Sequence, residues 1–331
     1  MKIVALEDHY VPAELFAAWA EQPEDQRDLS YAQSSVGEVR RRLEDLEGER
    51  LREMDRAGID VQVLSLTTPG LQSLCEPQAI AMSRRINDLT AAAIRRRPDR
   101  FQGFATLPLA TAEPAVAELR RAVVELGLNG AMVYGRLGER NMDDRLFWPV
   151  YEEAARLRVP LYVHPQSPPA AVRQAYYSGL SSKLDQSFAS GGIGWHYEAG
   201  VQLLRLILAG VLDEYPDLQL ITGHWGEVVL FYLDRVDQIG ETGEGPKRPI
   251  SDYWRSNIHV TPSGIFSQRY LEWTIKILGA ERIMWSTDYP YRIAGEGEAR
   301  RFLETAPIGE DAKLAIGSGN WERLVTRIRR G

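Results

Sequence analysis

Short β-prone apolar runs alternate along the chain with stretches whose apolar residues recur every three or four positions. The runs are Lys2 to Leu6, Val61 to Leu66, Phe101 to Leu107, Gly130 to Val133, Leu161 to His164, Leu218 to Ile221, Ile258 to Thr261 and Arg282 to Trp285. Between them, Leu43, Leu46, Leu51 and Met54 keep helical spacing up to a stop at Gly58, and Val116, Leu119, Val123 and Leu126 form one apolar stripe. Further helices are predicted from Pro77 to Arg97, Trp148 to Leu157, His196 to Leu212, Val228 to Val236 and Tyr270 to Leu278.

Continuous apolar strands separated by helices are the pattern of a parallel sheet, whose crossovers must be helical. Eight strand–helix units predict an α/β fold, a (β/α)8 TIM-type barrel over residues 1–331 as a single domain. Such a barrel needs about 250 residues. The remainder is an N-terminal insertion over about residues 10–40 and two long βα loops, Gln166 to Trp195 and Gly240 to Pro249. Loops of that length in a compact domain are usually functional.

Four strands end in side chains that bind metals or move protons. Ile3-Val4-Ala5-Leu6 runs into Glu7 and His9; Leu161-Tyr162-Val163 into His164-Pro165; Leu218 to Ile221 into Gly223-His224; and Ile283-Met284-Trp285 into Asp288, with Pro290 after it. Glu7 and His9 stand two apart, so a regular strand projects both to one side. In a barrel these tips share the C-terminal mouth, where active sites lie. Imidazole with carboxylate suits one divalent first-row metal, Mn²⁺ or Zn²⁺, and the second carboxylate tilts the choice toward Mn²⁺. His259 lies inside the seventh strand and reads as structural, whereas His196 opens a helix beside the long loop and either lines the pocket or braces that loop.

Charge and cysteine content narrow the functional classes. A net charge of −7 and an isoelectric point near 5.5 argue against nucleic acid or an anionic membrane as partner. No apolar run approaches the roughly 18 residues that span a bilayer, and the expected location is the cytoplasm. One cysteine, Cys75, excludes an intramolecular disulfide and a thiolate cluster. Any metal is therefore left to histidine and carboxylate.

The motifs Ala5-Leu6-Glu7-Asp8-His9, Val163-His164-Pro165, Gly223-His224-Trp225-Gly226-Glu227 and Ser286-Thr287-Asp288-Tyr289-Pro290 occur in this order. In that order they resemble the amidohydrolase superfamily. More narrowly, the chain resembles its metal-dependent, non-oxidative decarboxylases, typified by γ-resorcylate, 2,3-dihydroxybenzoate and 5-carboxyvanillate decarboxylases. Met54 to Asp60, Pro98 to Phe101 and Arg205 to Pro216 extend the likeness over nearly the whole chain. The resemblance implies Glu7, His164 and Asp288 as metal ligands, with His9 in the second place of the superfamily's first-strand pair. It further implies His224 and Glu227 as a hydrogen-bonded pair beside the metal, and Arg50 as a binder of substrate carboxylate. Arg235 would reach into the site of a neighbouring subunit in a homodimer or homotetramer.

Decarboxylation of an aromatic acid bearing an ortho-hydroxyl is the reaction so implied. A general acid protonates the ring carbon that bears the carboxylate, and CO2 leaves. Asp288 holds that role by resemblance, with His224, backed by Glu227, as the competing donor. His196, Trp195, Tyr176, Tyr177 and Phe188 are candidate contacts for the small aromatic substrate. The alternative reaction is metal-dependent hydrolysis of an amide, lactone or ester, which Glu7 in place of a first-strand histidine disfavours.

Overall fold

A computed structural model describes residues 1–24, 27–240 and 245–331. Eight parallel strands form its centre: β1 (Val4–Tyr10), β2 (Val61–Leu66), β3 (Phe101–Gly103), β4 (Ala131–Tyr134), β5 (Leu161–His164), β6 (Leu220–Thr222), β7 (Ile258–Val260) and β8 (Trp285–Ser286). They hydrogen-bond in the orders β8-β1-β2-β3 and β4-β5-β6-β7. Single parallel bridges, Ala105 with Ala131 and Val260 with Ile283, join the two halves into a closed ring. The expected barrel is thus the fold. Its third and eighth strands are shorter than the apolar runs suggest, because at both seams pairing is reduced to one bridge.

Alternation along the strands divides two apolar layers. Val4, Leu6, Val61, Val63, Phe104, Met132, Tyr162, Ile221 and Met284 fill the lumen. Ile3, Ala5, Leu64, Phe101, Val133, Val163, Leu220 and Ile258 pack outward in the larger core shared with the helices. The N-terminal mouth is closed by the helix Asn320–Val325, whose Trp321 packs edge-on against Phe104 (5.5 Å) and donates from Nε1 to Gln102 Oε1 (2.7 Å).

The N-terminal insertion is helical: Ala13–Ala20, Ser30–Ser34 and Gly37–Glu44. The helix expected to run through Leu43 to Met54 is broken at Asp45, whose carboxylate accepts from the backbone N–H groups of Glu47, Gly48 and Arg50 and starts a new helix, Gly48–Ala57. After β5 the long loop carries short helices, Ala170–Tyr176 and Ser182–Ser187, before the helix Gly194–Leu208 begins. In the second expected loop, residues 241–244 lie outside the described residues.

The Trp321 plug has a measurable consequence. Trp321→Ala leaves a void at the closed end of the lumen and should cost about 3–5 kcal/mol of unfolding free energy. Urea denaturation of the two proteins measures it; an unchanged midpoint would show that the plug contributes nothing.

Candidate metal centre and proton-transfer site

The first strand is not regular. Val4 and Ala5 pair with Val61 and Gln62, while Asp8 and His9 pair with Leu64 and Ser65, so β1 spends one residue more than β2 between these points. Glu7 sits in that bulge with φ +60°. Leu6 already faces the lumen, so strict alternation would turn Glu7 and His9 outward. The extra residue turns both inward and leaves Asp8 facing the outer layer. The expectation that Glu7 and His9 share a side is met, but through a bulge rather than a regular strand.

One donor atom each from Glu7, His9, His164 and Asp288 lies within 4.8 Å of the others. The surroundings select which atoms are free. His9 Nδ1 is 3.0 Å from the Leu66 carbonyl and His164 Nδ1 is 2.7 Å from that of Pro165; a carbonyl can only accept, so each ring points Nε2 at the cluster. His9 Nε2 lies 3.4 Å from Asp288 Oδ1, and His164 Nε2 3.5 Å from Glu7 Oε1. Glu7 Oε2 accepts from the hydroxyls of Tyr162 (2.6 Å) and Ser263. Glu7 Oε1 and His9 Nε2 are buried and find no hydrogen-bond partner among the described residues. Two orphaned atoms facing two more donors, with two carboxylates in the set, are the donor chemistry of a divalent cation. The residues present fit one.

Burial, with Asp288 adding to it, pushes the Glu7 carboxyl above its usual range despite the opposing His224 and His9. Burial and the two neighbouring imidazoles push His164 well below the histidine range, which keeps it neutral and able to ligate.

A second group adjoins the first. The turn Gly223–Val228 carries positive φ at His224, Trp225, Gly226, Glu227 and Val228, and so folds back on itself. This turn is possible because position 223 is glycine: a Cβ there would stand 2.5 Å from Ser263 Oγ and 3.0 Å from Glu7 Oε1. Glu227, wholly buried, takes His224 Nδ1 on one oxygen (2.7 Å) and His196 Nδ1 on the other (2.8 Å). Burial works against a charged His224, but the Glu227 carboxylate outweighs it and lifts the imidazole to about 10. Burial likewise works against a charged Glu227, and the two histidines hold it at about 2. His224 is therefore an imidazolium at neutral pH. Its Nδ1–H is committed to Glu227, which leaves Nε2–H for whatever enters the cavity.

That cavity, of about 220 Å³, is bounded by His164, His196, His224, Asp288, Trp195 and Tyr291. His196 thus lines the pocket and braces the loop, through Nε2 and the Gly191 carbonyl (3.1 Å). Trp195 supplies an aromatic wall as expected. Tyr176, Tyr177 and Phe188 do not; they line a separate apolar groove on the long loop. His259 stands away from the site, inside β7.

Arg50 does not line this cavity. Its guanidinium is fully buried outside the strand ring, donating to the carbonyls of Asp45 (2.8 Å) and His9 and to Gln62 Oε1 (3.2 Å), and stacking over Tyr289 (4.5 Å). Gln62 faces the same outer layer. Most of its N–H groups are thus spent inside the protein rather than on a substrate carboxylate. Its work is to hold the His9 carbonyl. Arg235, on the helix Leu233–Gly240, is exposed and donates to Gln238 Oε1 (2.7 Å); it does not border the cavity of its own chain.

Sequence reading did not single out Tyr162, Ser263 or Tyr291. Tyr162 was open to inference, since it precedes His164 by two on the same strand and so faces the same lumen. Ser263 approaches from the far end of β7 with φ +43°, which no local pattern announces. Tyr291, bonded to Ser34 (2.6 Å) and Thr67 (2.8 Å), ties the insertion to the site.

Known proteins resemble this chain throughout. The family model described as Amidohydrolase matches residues 9–326. The γ-resorcylate decarboxylase of Polaromonas sp. (strain JS666) is 37% identical over 300 residues, 87% of this chain and 89% of that one. The crystal structure of 5-carboxyvanillate decarboxylase from Sphingomonas paucimobilis superposes with a TM-score of 0.89 at 32% identity, over 99% of each chain. That of a dihydroxybenzoic acid decarboxylase from Polaromonas sp. JS666, with bound manganese and the inhibitor 2-nitroresorcinol, superposes with a TM-score of 0.85 at 32% identity, over 98% of this chain and 97% of that one.

The placement of Arg50 can be tested against a substrate contact. Arg50→Ala leaves the His9 and Asp45 carbonyls and Gln62 Oε1 without their buried donor and should lower stability by about 3 kcal/mol. Thermal melting of the variant checks this; an unchanged melting temperature with a raised KM would restore the substrate-binding role.

Proposed function

Since the chain belongs to the amidohydrolase family, we propose that it removes CO2 from an aromatic carboxylic acid bearing an ortho-hydroxyl group, without oxidation and with one divalent metal ion. The protein is an enzyme, a carboxy-lyase, with residues 1–331 as one catalytic domain. One observation carries the reading: a buried glutamate, Glu7, stands at the first-strand tip with an unpartnered oxygen facing His9, His164 and Asp288. A second carboxylate neutralises a divalent cation more fully and leaves it a weaker activator of water. That favours chelation of a phenolate and carboxylate over the hydrolytic alternative.

Glu7, His9, His164 and Asp288 would hold the ion, and manganese suits their oxygen content better than zinc. When bound, the cation supplies positive charge that keeps the substrate's phenolate ionised and its ring fixed. The protein's own groups do the rest. Trp195 and Tyr291 bound the space in which the ring lies. Asp288, one-fifth exposed to the cavity, is the acid that meets the ring carbon, and His224 is the imidazolium beside it from which the proton is replenished. Protonation draws a ring electron pair into a new C–H bond, and the electron pair of the carbon–carboxylate bond then returns to the ring as that bond breaks and CO2 departs. His196 and Glu227 hold His224 in position, and Arg50 holds β1.

We assign a homodimer or homotetramer, in which Arg235 reaches into the neighbouring subunit's cavity. Phe231 and Tyr232, 73% and 60% exposed just before Arg235, supply apolar surface for such a contact. A cytoplasmic location accords with the acidic charge balance, and no described helix is long and apolar enough to cross a membrane.

Asp288→Asn should remain folded while CO2 release from 2,6-dihydroxybenzoate falls about 10³-fold or more; retained activity in a folded variant would discard the mechanism. The raised His224 predicts that the donor is lost only as pH rises well above the ordinary histidine range. Glu227→Gln removes the charge that raises it, so the alkaline limb of the kcat–pH profile should move down toward about 6.5. An unmoved limb would remove His224 from proton transfer.

A further inference from the structure

At the N-terminal mouth of the barrel, opposite the metal centre, a cleft of about 210 Å³ lies between the strand ends and the C-terminal helix. His259, Arg282, Arg323 and Arg327 line it, with Glu281 as the one acid among its lining residues. His259 is paired with Ile221 across β6 and β7, and Ile221 faces the lumen, so the His259 ring also points inward. Asn320 fixes the helix over it, donating from Nδ2 to the carbonyls of Ala280 (2.8 Å) and Ile283 (2.6 Å) on either side of Arg282.

The polar groups here are incompletely satisfied. Arg282 Nη1 donates to Gln219 Oε1 (3.1 Å) and approaches His259 Nε2 (3.3 Å). A guanidinium has no acceptor, so Nε2 is the bare nitrogen and His259 carries its proton on Nδ1. Burial, reinforced by the three arginines, holds this ring neutral, at about 3. His259, only 6% exposed, has no partner for Nδ1, and Arg282 has none for Nε. Among the described residues none of the three arginines is ion-paired; Arg323 spends a bond on Asn320 Oδ1. Three guanidiniums without an ion pair, beside two buried N–H groups that have no partner, run against a chain whose net charge is −7. Such donors match an oxyanion, which the planar forks of arginine engage two atoms at a time.

We propose that this cleft binds a phosphate group, either the free ion or the phosphate of a small monoester, through Arg282, Arg323 and Arg327. It is separate from the decarboxylation site and independent of the reaction assigned there. Arg323 and Arg327 are exposed, so their replacement spares the core.

Calorimetric titration of the metal-loaded protein with inorganic phosphate, at constant ionic strength in chloride, tests it. Arg327→Ala and Arg323→Ala should each weaken binding about tenfold, the loss expected for one charge-assisted contact. Titration with adenosine 5′-monophosphate separates the two sources. Tighter binding than inorganic phosphate, lost in the same variants, assigns the esterified group; weaker binding assigns the free ion. Absence of phosphate binding in the wild type overturns the proposal. So does equal binding by wild type and both variants, as an anion held at the opposite mouth would give.

Discussion

One extra residue in β1 governs the site. Without it, Glu7 and His9 would follow Ala5 into the outer layer, and the lumen would receive Asp8 instead. With it, a carboxylate is carried into a wholly buried position, where an unpaired charge costs several kcal/mol. The fold answers that cost on one oxygen only, through the hydroxyls of Tyr162 and Ser263. The other oxygen is left facing two imidazole nitrogens and Asp288. A half-satisfied buried carboxylate is a poor structural element and a good ligand, because a cation completes it.

The same logic accounts for where the backbone is strained. Among the described residues eight non-glycine residues have positive φ, and all but Arg158 sit either in the β1 bulge or just beyond the C-terminal ends of β6, β7 and β8. Each left-handed residue costs about 1 kcal/mol or more. The strain sharpens the turns, so that Glu7, His224, Glu227, Ser263 and Asp288 converge within hydrogen-bonding reach of one another or of a shared cation. The packed layers of the barrel below hold these conformations in place, and no loop entropy is left to blur the geometry.

The barrel was legible because its strands are buried on both faces and so read as continuous apolar runs. The His and Asp residues at their tips were legible for the same reason: polar groups that bind metals are conspicuous at the ends of such runs. The bulge was not. A two-residue spacing gives the same answer for Glu7 and His9 whether or not a residue is inserted before them, so the correct side was inferred from an incorrect geometry. The surroundings of Arg50 were not legible either. The family resemblance implies a substrate contact for it, but whether a guanidinium faces a cavity or an outer layer depends on Gln62, the Asp45 turn and the His9 carbonyl meeting in space. The aromatic residues of the long loop were ambiguous in the same way, and of those considered only Trp195 faces the cavity.

Glu227 explains how two neighbouring clusters of similar side chains come to differ in charge. His9 and His164 turn their Nδ1 atoms to neutral carbonyls, which orient the rings, and burial with the adjacent imidazoles keeps His164 neutral. His224 turns its Nδ1 to a carboxylate, which favours the imidazolium strongly enough to overcome burial. The difference lies in the partner of a single nitrogen, and it divides one pocket into a half that donates lone pairs and a half that donates a proton. His196 strengthens the division from outside: by occupying the second Glu227 oxygen it keeps that carboxylate ionised at about 2 and fixed in orientation. An imidazolium and a neutral imidazole can therefore stand in one pocket: at His224 the Glu227 carboxylate outweighs burial, while at His164 burial and the adjacent imidazoles prevail.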